Sequence, residues 1–207
     1  MTAAGPARVL LDQPEDGPPR FLVALTHGAG GSPDTADVLA VRDAARVLGA
    51  VTALVTQPYR VRGARAPGSA AKQDDAWAEI VGALRHQTAG DGPLPLVQCG
   101  RSNGARVACR TARLVGAAGV IALAFPLHPP GQPGKSRDAE LRGAGTSVLV
   151  ITGERDPFGI PEPDERTHVV ILPGETHALS KRPVAVGDAV TAWLCATPAL
   201  GPVLGRS

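Results

Sequence analysis

The sequence predicts an α/β fold with a doubly wound, mostly parallel sheet of about six or seven strands. Short apolar runs alternate along the chain with stretches of helical periodicity. Runs that are apolar on both faces are typical of strands buried on both sides of a parallel sheet. The 207 residues, of which 43% are hydrophobic, suit one domain with a sizeable core. We therefore expect a single domain over residues 1–207.

Six apolar runs are the candidate strands, and each ends close to a Gly or a Pro. They cover residues 21–27, 51–56, 94–99, 120–125, 147–152 and 168–172, and residues 8–13 are a candidate edge strand. Helical periodicity covers residues 34–48, 72–87, 103–115 and 184–194. In such sheets, ligands bind at the carboxyl ends of the strands. The residues that directly follow the strands are therefore the first candidates for a functional site.

Composition and charge exclude several classes of protein. The formal net charge of +2 and the isoelectric point near 8.6 are too mild to indicate a nucleic-acid partner. The three cysteines form no Cys-x-x-Cys pair, so neither a zinc knuckle nor a disulfide scaffold is indicated. The sequence has no signal-like start and no apolar run of about 18 residues, so we expect a reduced, cytoplasmic protein without a membrane partner. The oligomeric state stays open.

The third candidate strand runs into a G-x-S-x-G motif at Gly100, Ser102 and Gly104, and a helix follows. This motif requires a strand, a sharp turn and a helix, because the glycines allow a strained turn that exposes the serine hydroxyl. The helix N-terminus behind the turn favours developing negative charge. A glycine-rich turn with an idle serine is the alternative, but the context favours Ser102 as a nucleophile.

A serine nucleophile needs a base, and the base needs an acid that orients it. Asp156 follows the fifth candidate strand and His177 follows the sixth, so both lie at the sheet edge where Ser102 is expected. Asp156 would orient His177, which would take the Ser102 proton, and Glu154 competes for the acid role. Asp156 also fits a helix N-cap before Pro157, and His177 also fits a surface loop. The joint placement after successive strands favours the catalytic interpretation.

The loop after the first strand, T-H-G-A-G-G-S from Thr26, is typical of an oxyanion loop. We expect the backbone N–H groups of Ala29 and Asn103 to stabilise the oxyanion. The loop fits neither the phosphate-binding G-x-x-x-x-G-K-[ST] pattern nor a dinucleotide fingerprint. No metal-binding spacing such as H-E-x-x-H appears. We therefore expect no cofactor and no metal.

Three further side chains are candidates for substrate binding. His128 follows the fourth candidate strand within P-L-H-P-P, where a structural role is an equally good interpretation. Arg60 and Arg65 lie in a predicted loop after the second strand, on the same side of the sheet as Ser102. Arginines in such a loop more often face solvent, so their part in binding is the weaker of two interpretations.

Five segments together resemble one family. They are T-H-G-A-G-G from Thr26, P-Y-R-x-x-G-A-R-A-P from Pro58, G-R-S-N-G-A-R-V-A from Gly100, F-P-L-H-P-P-G from Phe125 and G-E-R-D-P-F-G from Gly153. They resemble a small bacterial alpha/beta-hydrolase family that is related to testis-expressed protein 30 and, more distantly, to dienelactone hydrolases. The resemblance implies an alpha/beta-hydrolase fold with Ser102, Asp156 and His177 as the catalytic triad.

These observations predict a serine hydrolase that cleaves a small ester or thioester through an acyl-enzyme on Ser102, with a small molecule as its partner. The connection over residues 126–145 has room for one short helix, around residues 136–142. Such a minimal cap predicts a shallow, open pocket and a preference for short acyl chains. A non-catalytic interaction protein on the same scaffold is the alternative, because a fold does not fix a function.

Overall fold

The computed structural model describes residues 1–90 and 92–201. The predicted domain over 1–207 therefore includes residues 91 and 202–207, which lie outside the described residues. The described residues form one seven-stranded sheet in the order β1-β3-β2-β4-β5-β6-β7. The strands are β1 (Arg8–Asp12), β2 (Phe21–Thr26), β3 (Ala50–Thr56), β4 (Leu96–Arg101), β5 (Gly119–Leu123), β6 (Ser147–Gly153) and β7 (Thr167–Leu172). Only β1 pairs antiparallel, with β3, so the predicted mostly parallel sheet and its edge strand are confirmed.

Helices cover both faces of this sheet. Within the described residues they are α1 (Ala36–Val47), α2 (Pro58–Val61), α3 (Ala70–Thr88), α4 (Asn103–Thr111), α5 (Asp138–Arg142) and α6 (Pro183–Ala196), and a 3-10 turn follows at Pro198–Leu200. Helices α1 and α6 share one hydrophobic cluster, whereas α3, α4 and α5 lie in clusters on the other side. None of these helices is long and apolar enough to cross a lipid bilayer.

Alternate residues of the central strands face opposite helical layers. Val23 and Leu25 of β2 belong to the cluster that contains α1 and α6, whereas Leu22 and Ala24 belong to the cluster that contains α3. All four side chains are fully buried. This arrangement explains why the strands are apolar on both faces in the sequence, since each strand is covered twice. It also fixes the carboxyl ends of β2, β4, β6 and β7 at one edge of the sheet, where the candidate residues lie.

Each strand differs from its predicted bounds by one or two residues, and for two of the larger differences the backbone gives the reason. Strand β4 begins at Leu96, two residues later than expected, because Pro95 has no N–H group to donate to a neighbouring strand. Strand β5 ends at Leu123, two residues earlier than expected, because Ala124 turns the chain with a φ of +46°. The turn lets the Ser102 N–H group donate to the Leu123 carbonyl at 2.8 Å.

The segment predicted as a loop around Arg60 and Arg65 is partly helical, which is a correction. Residues 58–61 form α2, with Pro58 at the first helical position, where its fixed φ suits a helix and its missing N–H costs nothing. Arg60 lies in this helix, and Arg65 lies after it in the connection to α3. Sequence patterns did not predict α2, because a helix of four residues is too short to show helical periodicity.

The connection between β5 and β6 carries only one short helix, α5, as predicted from its length. Two Arg106 nitrogens donate to the Glu140 carboxylate at 2.8 and 2.6 Å, which fastens α5 to α4. Arg110 also binds Glu140 and reaches Asp74 of α3 at 2.6 Å. The small cap is thus held to the helices beneath it by a network of charged hydrogen bonds.

Candidate active site

Ser102 lies on a sharp turn between β4 and α4. Its φ of 51° and ψ of −113° are unusual for a residue other than glycine, and such strain is typical of functional sites. The turn is possible because glycines flank it: a Cβ on Gly100 would collide with the backbone of Gly104, and a Cβ on Gly104 would lie 2.6 Å from the His27 carbonyl oxygen. The two glycines of the motif are therefore required by close backbone approach, as the motif predicts.

A continuous chain of hydrogen bonds joins Asp156, His177 and Ser102. His177 Nδ1 lies 2.9 Å from Asp156 Oδ2, and His177 Nε2 lies 2.9 Å from Ser102 Oγ. A carboxylate can only accept, so Nδ1 carries the proton and Nε2 accepts from the hydroxyl. Such an arrangement allows the imidazole to accept the serine proton while the carboxylate stabilises the imidazolium that forms.

The Asp156 side chain is completely buried, whereas that of His177 keeps 20% of its surface exposed. Asp156 also accepts hydrogen bonds from the backbone N–H of Phe158 at 2.9 Å and from the Thr152 hydroxyl at 3.3 Å. The Phe158 ring packs against the His177 ring with 4.2 Å between centroids. These contacts fix the orientation of both side chains before any ligand arrives.

The competing carboxylate, Glu154, lies elsewhere. Its Oε2 accepts from the Gly174 backbone N–H at 2.9 Å, and the residue is exposed. The structure therefore brings Asp156, and not Glu154, to His177. Asp156 also makes a bond of the kind that an N-cap makes, because its Oδ1 accepts from the backbone N–H of Phe158, two residues later.

Arg101, the residue before Ser102, connects the His177 loop to helix α1. Its Nε donates to Asp37 Oδ2 at 3.1 Å, and its Nη2 donates to the His177 carbonyl at 3.0 Å. The Asp37 side chain is completely buried, and its Oδ1 has no partner among the described residues. A buried carboxylate needs a paired cation, so Arg101 is held firmly beneath the loop that carries His177.

The loop after β2 lies against Ser102, since a Cβ on Gly28 would be 3.3 Å from the Ser102 Cβ. The backbone N–H groups of Ala29 and Asn103 have no hydrogen-bond partner within the described residues, so both are available to a ligand. Asn103 opens helix α4, where N–H groups at the N-terminus favour negative charge. Free N–H groups on both sides of a serine hydroxyl can stabilise an oxyanion.

Two buried side chains support this loop. His27 Nδ1 lies 2.8 Å from the Gly28 carbonyl, to which it donates, and its Nε2 accepts from the Gln57 N–H at 3.0 Å. Burial lowers the pKa of His27, so the ring is neutral near pH 7. The Tyr59 hydroxyl donates to the Ala29 carbonyl at 2.9 Å, and burial raises the pKa of Tyr59 to about 12. Both supports are therefore uncharged hydrogen-bonding groups at ordinary pH.

The three predicted substrate-binding side chains have different surroundings. His128 Nδ1 lies 2.9 Å from the Pro129 carbonyl, and its backbone N–H donates to Phe158, whose ring contacts His177. Arg60 donates to the Ala64 carbonyl at 3.2 Å, and its positive charge adds to the lowering of the His27 pKa by burial. Arg65 is exposed. None of the three makes a hydrogen bond to Ser102, Asp156 or His177, so their part in binding stays a prediction.

Sequence reasoning missed several residues of the site. Arg101 stands at the second position of the G-x-S-x-G motif, but its partners Asp37 and His177 are 64 and 76 residues away. Tyr59 lies 30 residues from Ala29. Only the segments quoted for the family resemblance pointed to Arg101 and Tyr59, and no local pattern pointed to Asp37. Within the described residues, no group of three His, Cys, Asp or Glu side chains is placed to hold a metal ion.

A cleft of about 580 Å³ lies beside the site, between the N-terminal turn, α2 and one face of α3. We call it the α3 cleft; it is lined by residues 3–4, 57–59, 62, 66–68, 72–73, 75–76 and 79. Arg60 and Arg65 do not line it, whereas Arg62 does. The predicted shallow pocket followed from the small cap, but the walls of the α3 cleft come from other segments. The cap therefore contributes no residue to the walls of the α3 cleft.

Comparison with known proteins places this architecture. The chain matches the model of a family described as an alpha/beta hydrolase domain, over residues 19–180. A comparison with curated protein sequences finds no match.

Solved structures of the same architecture cover almost the whole chain. An alpha-beta serine hydrolase homologue from Coxiella burnetii superposes with a TM-score of 0.74 at 16% identity, covering 94% of each chain. An alpha/beta serine hydrolase without a lid from Xanthomonas campestris gives a TM-score of 0.70 at 21% identity, covering 95% of this chain and 94% of the other. Dienelactone hydrolase from Anabaena variabilis gives 0.69 at 20% identity, covering 92% of each. At these identities the likeness shows the fold.

Proposed function

The chain belongs to the alpha/beta hydrolase family, and from that premise we propose that it is a serine hydrolase that cleaves a small ester or thioester through an acyl-enzyme on Ser102. The observation that carries the proposal is the hydrogen-bond chain from Asp156 through His177 to Ser102, with 2.9 Å at each step. The three groups come from three separate loops, and a scaffold without catalytic activity would not need them in this register.

In the proposed reaction, the Ser102 oxygen attacks the carbonyl carbon while His177 Nε2 takes the hydroxyl proton. The backbone N–H groups of Ala29 and Asn103 stabilise the negative charge on the carbonyl oxygen. His177 then gives the proton to the leaving alcohol or thiol, and the acyl group stays on Ser102. A water molecule, deprotonated by His177, attacks this acyl-enzyme, and the acid leaves as Ser102 regains its proton. The mechanism uses no metal and no cofactor.

The relatives support an ester-like substrate. The Xanthomonas campestris structure is described as a serine hydrolase without a lid, and the Anabaena variabilis protein as a dienelactone hydrolase. A dienelactone is a cyclic ester, and both proteins share the fold with this chain. The small α5 cap agrees with a substrate that does not require a large lid to cover it.

A fluorophosphonate probe tests the proposal directly, because it phosphonylates a serine only where a base activates it. We expect stoichiometric labelling of Ser102, found by mass spectrometry of the labelled peptide, and turnover of p-nitrophenyl acetate or acetyl thioesters. Ser102→Ala should lose both the labelling and the turnover. The matched control, Ser180→Ala, changes an exposed serine and should keep both. A folded wild-type protein with neither labelling nor turnover would favour the non-catalytic interaction protein instead.

A further inference from the structure

Two side chains that line the α3 cleft hydrogen-bond to the two segments that flank Ser102. Tyr59 lines the cleft and binds the Ala29 carbonyl through its hydroxyl at 2.9 Å. Gln73 also lines the cleft, and its Oε1 accepts from the Asn103 side-chain amide at 2.6 Å. Two buried residues of the cleft lining are therefore bonded directly to the two residues whose backbone N–H groups are the proposed oxyanion donors.

We propose that the α3 cleft binds the acyl group of the substrate, and that this group is uncharged, apolar and of moderate length. The proposal rests on the proposed function, because an acyl group is defined only by attack of Ser102 on a carbonyl carbon. It adds the chemical class of the acyl group and the place where the acyl group lies.

The position of His177 determines which half of the substrate can enter the cleft. His177 must protonate the leaving group, so the leaving group lies within hydrogen-bond reach of Nε2. His177 follows β7, at one end of the strand order. Tyr59 lies in α2, directly after β3, and Gln73 lies in the first turn of α3, so both are on the other side of β4. A carbonyl carbon bound to Ser102 with its leaving group toward β7 therefore directs its acyl group toward β3. The α3 cleft lies on that side.

The chemistry of the cleft walls indicates an apolar acyl group. The side-chain amide nitrogens of the two lining glutamines are already engaged within the protein: Gln73 Nε2 donates to two backbone carbonyls, and Gln57 Nε2 donates to the Thr26 hydroxyl. The remaining inner surface comes from Pro58, the Tyr59 ring and Ala76. A charged acyl group would lose its hydration against this apolar surface and find no charged partner on it.

The four charged lining residues are exposed, and two of them are engaged within the protein. Arg62 donates to the Ala4 carbonyl, and Glu79 Oε2 accepts from the Ala3 N–H at 2.9 Å, so both hold the N-terminal turn in place. Lys72 and Asp75 carry opposite charges and are exposed. Arg62, Glu79 and the N-terminal turn that they hold line the cleft on this side. The cleft volume of about 580 Å³ limits the length of the acyl chain that fits.

The experiment measures kcat/KM for p-nitrophenyl esters from acetyl to lauroyl, with the leaving group held constant. Each buried methylene is worth up to about fourfold in kcat/KM, so we expect a rise to about hexanoyl and a fall for longer chains. Succinyl and other charged acyl groups should react more slowly than neutral groups of equal length. A steady rise to lauroyl, or a preference for the charged acyl groups, would overturn the proposal.

Two variants that narrow the cleft locate the acyl group. Ala76→Leu fills the buried wall and should lower the ratio of hexanoyl to acetyl turnover at least tenfold. Ala66→Trp fills the cleft from its exposed rim and should lower the same ratio, so it tests the proposal if Ala76→Leu does not fold. The matched control is Ala71→Leu, on the exposed face of α3 outside the cleft, which should keep the wild-type ratio.

The outcomes separate this inference from the proposed function. Loss of all turnover and of probe labelling in the wild-type protein would contradict the proposed function itself. Turnover with hexanoyl-to-acetyl ratios that are unchanged in both cleft variants would contradict only the acyl site. A change in preference among acetyl esters with different leaving groups, at a constant hexanoyl-to-acetyl ratio, would place the leaving group in the cleft and overturn the assignment.

Discussion

Arg101 Nη2 donates a 3.0 Å hydrogen bond to the backbone carbonyl of His177, 76 residues further along the chain. The same guanidinium group is paired with Asp37, whose side chain is completely buried in α1. One residue of the nucleophile motif therefore fixes the loop that carries the proposed base. Arg101 does not touch the hydroxyl or the imidazole, so it is a positioning residue rather than a catalytic one.

Replacement of Arg101 by Met should destabilise the protein by about 3–5 kcal/mol, because it leaves the Asp37 carboxylate buried and unpaired. Chemical denaturation of the two proteins checks this value. The matched control is Arg42→Met, which removes the surface ion pair with Asp43 and should cost at most about 1 kcal/mol. Equal, small losses for both variants would mean that the buried pair does not contribute as its burial implies.

Ser102→Ala should lower kcat by about 10³-fold or more and leave thermal stability within a few degrees of the wild type. The hydroxyl is half exposed on its turn, so its removal leaves no cavity. Steady-state kinetics and a melting curve on the same preparation measure both effects. Hydrolysis at a near-wild-type rate would remove Ser102 from the mechanism.

Asp156→Asn should lower kcat by about 10⁴-fold, because an amide at this position no longer favours the His177 tautomer that accepts the Ser102 proton. Glu154→Gln is the matched control, since the Glu154 carboxylate accepts from the Gly174 N–H and not from His177, and it should change kcat by less than about threefold. Both variants are compared at one pH with the same ester. A larger loss for Glu154→Gln would mean that the wrong carboxylate has been assigned.

His27 should make the fold less stable in acid. Burial lowers the pKa of His27 below its ordinary 6.5, so the unfolded chain binds a proton there before the folded protein does. Its stability contribution is present above about pH 6.5 and is lost as the pH falls through the lowered value. His27→Gln should therefore give a flatter decline of Tm between about pH 7 and pH 4.

The control for His27 is a histidine with the opposite surroundings. His168 is exposed on β7, so His168→Gln should keep the slope of the wild type. Each slope is read from melting curves in matched buffers. If His27→Gln and His168→Gln decline alike, the loop after β2 does not depend on a neutral His27.

Much of the fold could be predicted from the sequence because its causes are local. Runs such as residues 147–152 are apolar at every position, and only a strand covered on both faces can bury them. The G-x-S-x-G turn was equally predictable, since the two glycines of the motif are required by backbone approach within five residues of chain. The predicted strand bounds were wrong by one or two residues, and at Pro95 and Ala124 a single residue that changes the backbone explains the difference.

The sequence by itself determined that a serine, a histidine and a carboxylate would meet at the edge of a mostly parallel sheet, with Asp156 and Glu154 as the two candidates for the carboxylate. Strand ends brought them there, and strand ends can be seen in the sequence. Only the tertiary structure decided that Asp156 rather than Glu154 reaches His177, that Arg101 is held by Asp37, and that the N-terminal turn closes a cleft against α3. Each of these depends on contacts between residues 21 to 76 positions apart. Such contacts form when separate helices and strands pack together, and no local pattern of residues encodes them.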